Sequence, residues 1–157
     1  MNRIAHMLRS GLCGAAGAAG VCLGLGVILA YLTIANTVAG YFFESLQFAF
    51  TFAPIVAVQA ILGFLFGATR VVQAEARLYN VMISGMLHWA GLAAPFVLGI
   101  GVFVVIDLVD RPSQGGRSLW YELAKIFVAL TGHLLCGAGA GLNVGLYLRR
   151  RRQSAGQ

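Results

Sequence analysis

Charge is what this chain has least of. Its 157 residues include five acidic and eleven basic side chains, and none falls within four long stretches: Ser10 to Phe43, Ser45 to Thr69, Leu78 to Ile106 and Ile126 to Leu148. A soluble domain needs charged and polar side chains along every element to cover its surface, so this scarcity excludes a water-soluble globular fold. The acids Glu44, Glu75, Asp107, Asp110 and Glu122 all stand at the edges of the stretches. Proton-coupled transport relies on a carboxylate near the middle of the bilayer, and its absence argues against transport by this chain alone. There is no HExxH, no serine nucleophile motif and no acidic pair within a stretch, which leaves hydrolytic catalysis without its groups. No catalytic residue and no metal site is expected. Cysteine is also scarce. Cys13, Cys22 and Cys136 lie within the stretches and no CxxC occurs, so neither a disulfide framework nor a thiol relay is expected. Three prolines, Pro54, Pro95 and Pro112, leave little to interrupt a helix.

What remains is apolar length. The chain is 59% hydrophobic, and a helix needs roughly 20 apolar residues to cross the hydrocarbon core. The expected fold is an all-α, integral membrane four-helix bundle. Its single transmembrane domain, 1–157, has spans at about 11–35, 46–69, 80–106 and 120–148. The apolar run after Met1–Ser10 exceeds the h-region of about 7–15 residues found in cleaved signals, so an uncleaved first span is expected. Orientation follows from the arginines. Arg3, Arg9, Arg70, Arg77, Arg149, Arg150, Arg151 and Arg152 gather on one side, against Arg111, Arg117 and Lys125 on the other. That bias predicts both termini to be cytoplasmic. The basic residues flank membrane segments, so they predict contact with anionic lipid head groups, with Arg149 to Arg152 at the centre, and no nucleic-acid partner. Alanine-, glycine- and arginine-rich usage points to the inner membrane of a bacterium.

Glycine is abundant, with 21 residues. Gly20 and Gly24 form a GxxxG pair, as do Gly63 and Gly67, while Gly137, Gly141 and Gly145 make a glycine face on the fourth span. This spacing lets helix backbones touch. Most such faces are expected to pack the bundle itself, and one could be spare for a partner subunit or a second copy. Aromatics cluster at the outer boundary through Tyr41, Phe42, Phe43, Phe48, Phe50 and Phe52, with Trp120 and Tyr121 opening the fourth span. Pro54 and Pro95 predict bends in the second and third spans. Asp107 to Ser118 has loop composition, and Gln153 to Gln157 reads as a polar tail without order.

Two histidines, His88 and His133, lie at membrane depth, where ionisable residues are candidates for function. Neutral imidazole can ligate haem iron, so one reading is a redox subunit holding a haem b, or a quinone, through His88 and His133. At 1.5 Å per residue the two stand roughly 15 and 22 Å from the inner helix ends, an awkward offset for one iron. The simpler reading has each histidine hydrogen-bonding to a carbonyl or to Gln59, Thr131 or Ser84, tying helices together. Met82, Met86 and His88 share the inner half of the third span and are read as packing. The first expectation is therefore a non-catalytic accessory or assembly subunit of a larger membrane complex, in contact with lipids and with other subunits or itself. A haem b- or quinone-binding redox subunit is the alternative, and a small oligomeric channel or carrier the third.

Overall fold

The computed structural model describes residues 3–34, 41–70, 77–110 and 115–155. Its elements are four helices: α1 (Arg3–Ile34), α2 (Tyr41–Thr69), α3 (Leu78–Asp110) and α4 (Gly115–Ala155). All four are long and apolar enough to cross a membrane. Glycine would weaken such helices in water. In hydrocarbon an unpaired backbone N–H or C=O costs several kcal/mol, so the helix, which pairs them internally, wins regardless of propensity. Side-chain hydroxyls follow the same rule. Thr131 Oγ1 donates to the Phe127 carbonyl at 2.8 Å, and Thr69 Oγ1 to that of Phe66 at 2.8 Å.

The helices reach past the expected spans. At 41 residues, α4 is about 60 Å long, twice the hydrocarbon thickness. It carries the four arginines and continues to Ala155, so the segment from Gln153 is helical there rather than a loose tail. Arginine and glutamine are good helix formers, and no glycine or proline intervenes after Gly145 before the helix ends. At the other end of the bundle, α3 runs to Asp110, close to where Pro112 disfavours helical backbone. Both α2 and α3 are continuous through Pro54 and Pro95. The side chains of the boundary aromatics from Tyr41 to Phe50, of Trp120 and Tyr121, and of all five acidic residues are not among the described side chains.

Backbone approach is governed by glycine and serine. On α1, a Cβ at Gly14 would strike the Gly63 carbonyl, and one at Gly63 would strike that of Gly14; Gly67 meets the Ser10 carbonyl in the same seam. Gly17 abuts Gly139 where α1 crosses α4, and Gly85 abuts Gly137 where α3 meets α4. Three seams therefore close to backbone distance: α2 on α1, α1 on α4, and α4 on α3. By contrast α2 and α3 meet through side chains alone, and the largest buried ones, Trp89 and Phe66, fill the space between them with rings 5.9 Å apart. Around them the core is Ala18, Cys22, Val81, Cys136, Ala140, Val144 and Leu148. Large apolar side chains cover the outside, among them Leu98 at 71% and Phe127 at 70% exposure. In water each would forgo about 1.5–3 kcal/mol of burial; against lipid tails it forgoes nothing.

Candidate functional site

The polar centre of the bundle is built from one residue on each of three helices. Trp89 on α3 donates its indole N–H to Gln59 Oε1 on α2 at 2.6 Å, and Gln59 Nε2 lies 2.8 Å from His133 Nδ1 on α4. The chemistry of this chain has one solution. Indole can only donate, so the Gln59 atom facing it must be oxygen. The amide nitrogen then faces His133 and can only donate, so Nδ1 must accept. The ring proton therefore sits on Nε2, and the imidazole is neutral. The ring also meets the Trp89 main chain. Gln59 is buried, so leaving any of these groups unpaired would cost about 1–3 kcal/mol each.

This cluster lies on the wall of a semi-enclosed cavity of about 840 Å³, in which, among the described residues, Gln59 and His133 are the only amide and imidazole beside apolar or thiol-bearing side chains. Leu25 and Leu29 of α1, Phe52 and Ile55 of α2, and Val97 of α3 stand around them. The cavity follows from the packing just described. Glycine seams hold α1 to α2 and α4 to α3, while among the described residues no such seam draws α2 and α3 together. Leu29, Ile55, Val58, Leu92 and Val128 line the cavity and are also exposed, so it is continuous with the outer surface of the bundle. Cys22 and Cys136 also line it, and their thiols meet in a side-chain hydrogen bond across α1 and α4. Among the described residues no group of three or more His, Cys, Asp or Glu side chains is placed to hold a metal ion.

The two histidines singled out from sequence are not brought to one space. His133 lines the cavity. His88 is exposed on the other side of Trp89, stacked edge-on to that indole at 5.7 Å and tilted against Phe66 at 5.8 Å, and forms no part of the cavity wall. Neighbouring helix positions point about 100° apart, which is why the residue next to the buried Trp89 faces outward. Of the partners expected for a buried histidine, Gln59 serves His133, while Thr131 bonds within its own helix. Met82 packs its backbone against Gly141.

The glycines divide into two sets. Gly63, Gly67, Gly137, Gly141 and Gly145 each meet a neighbouring helix, whereas among the described residues a Cβ at Gly20 or Gly24 would meet nothing within 4 Å. At the arginine-rich end, Arg149, Arg150, Arg151 and Arg152 are exposed on the last turns of α4. Beneath them lies an element that sequence reading passed over. His6 is buried, its Nδ1 is 3.1 Å from Tyr147 Oη, and both its Nε2 and the hydroxyl of Ser10, one turn on, are buried without a hydrogen-bond partner among the described residues. The i,i+4 spacing of His6 and Ser10 was the available signal. Arg70 sits over the Phe66 ring, 5.2 Å from its centroid.

Comparison of the chain with protein families, with curated proteins and with solved structures finds no match. The class of protein is thus set by the fold itself: a multi-pass helical membrane protein.

Proposed function

We propose that this chain is a non-catalytic subunit of a larger assembly in a bacterial inner membrane, with both termini cytoplasmic, and that it recruits another transmembrane helix to α1. One observation carries the reading. Gly11, Gly14, Gly17 and Gly26 on α1 are all occupied by neighbours, yet Ala16, Gly20 and Gly24 form a strip of exposed small residues one turn apart, with nothing over the glycines among the described residues. Small residues at that spacing allow a further helix to approach to backbone distance, where van der Waals contact drives association in lipid. Leu23 and Val27, both exposed, flank the strip and supply ridges for such a helix.

The test is native mass spectrometry from mild detergent of the wild type and of Gly20→Leu with Gly24→Leu. The expected result is a species heavier than the 16.6 kDa chain that the double variant loses while its own helical fold persists. A wild type that stays monomeric, or an assembly that survives the double variant, would refute the docking face. A mass at a multiple of the chain would assign the partner to a second copy.

A further inference from the structure

We infer that the cavity beside Gln59 and His133 is a binding site for a neutral, lipid-soluble molecule that presents a carbonyl oxygen on an apolar body. This goes beyond the subunit reading and does not depend on it. Three features point the same way. The first is size: about 840 Å³ lies within the roughly 300–1,000 Å³ typical of small-molecule sites. The second is access, because exposed residues of α2, α3 and α4 form part of the wall. A molecule dissolved in the bilayer can enter without crossing water.

The third feature is the sign of the polar groups. Trp89 fixes the Gln59 amide, and Gln59 fixes the His133 tautomer. What this leaves for an incoming molecule is a donor hydrogen, the second one on the Gln59 Nε2 amide, since the Nε2–H of His133 faces the Trp89 main chain. A free N–H donor in an apolar cavity selects an acceptor, and the absence of a charged side chain among the described lining residues selects a neutral one. Two membrane constituents carry that chemistry, the ring carbonyls of a quinone and the ester carbonyl of an acyl lipid. His88 takes no part, so a molecule gripped between the two histidines is not what this geometry offers.

The chain carries its own reporter. Trp89 and Trp120 are its two tryptophans, so Trp120→Phe leaves the buried Trp89, one hydrogen bond from Gln59, as the sole indole. That variant is placed in nanodiscs of ester-linked phosphatidylcholine and, separately, of its diether analogue, and titrated with a decyl-substituted benzoquinone. Quenching of Trp89 should saturate. In the same background Gln59→Leu should weaken binding roughly tenfold, the loss of one good hydrogen bond. Gly132→Leu should abolish saturation by filling the cavity. A Cβ at Gly132 meets only Leu25, at 3.6 Å, so this variant keeps the fold and the polar cluster even if Gln59→Leu does not. Saturation of equal strength in both bilayers assigns the site to quinones, and saturation in the diether bilayer alone assigns it to lipid esters that compete in the other. Quenching that rises linearly in both bilayers, unchanged by Gly132→Leu, overturns the inference.

Discussion

At the scale of single residues, the indole of Trp89 decides more than its own packing. A donor with no acceptor capacity orients Gln59, and through Gln59 it sets which nitrogen of His133 carries the proton. Imidazole labelled with ¹⁵N should therefore show the Nε2–H tautomer of His133, and an Nδ1–H signal would mean that the amide is turned over or the bond absent. Gln59→Leu strands the Trp89 N–H and removes the His133 donor, so it should destabilise the bundle by about 1–3 kcal/mol. Reversible unfolding in detergent against the wild type measures this, and an unchanged or raised midpoint would contradict it. Sequence alone offered Gln59 as one of several partners for a histidine. It could not select among them, because the choice rests on the rotation of α2 relative to α4, which no local spacing encodes.

Among the elements, glycine seams separate those that must touch from those that need not. Gly14 and Gly63 face each other's carbonyls, while Gly20 and Gly24 face none. Gly14→Ala should therefore cost about 1–3 kcal/mol through forced separation of α1 and α2. Gly20→Ala should cost nothing, and could add up to roughly 1 kcal/mol through helix propensity alone. Thermal unfolding of the two variants side by side distinguishes them, and equal effects would place α1 in a different rotation. All these glycines carry the same sequence signature. Only the helix pairing tells the seam on α2 from the open strip on α1, because a GxxxG pattern states that close approach is allowed and not that it occurs. The ends of α4 were hidden for another reason. Four consecutive arginines read as contacts for lipid head groups, and a charged segment can still be helical once a long helix has paid its nucleation cost.

For the molecule as a whole, the prediction concerns placement in the bilayer. The bias of eight basic residues to one end of the bundle predicts, under the positive-inside rule, that both termini lie in the cytoplasm. Fluorescent-protein fusions at the C-terminus should be bright and alkaline phosphatase fusions at the same point inactive. The reverse pattern would invert the topology and put the arginines outside.

The sequence by itself determined that this chain crosses a membrane four times as helices. Uncharged stretches of sufficient length and the cost of unpaired backbone in hydrocarbon leave no other structure, and both are properties of the chain read one segment at a time. The tertiary structure alone decided what the segments do to one another. It turned Trp89 inward and His88 outward, joined Gln59 to both Trp89 and His133, left Gly20 and Gly24 uncovered, and opened a cavity where α2 and α3 part. Those outcomes depend on how each helix is rotated about its axis. That rotation is set by which glycine seams close together, a choice between whole surfaces of similar composition that no single stretch of sequence records.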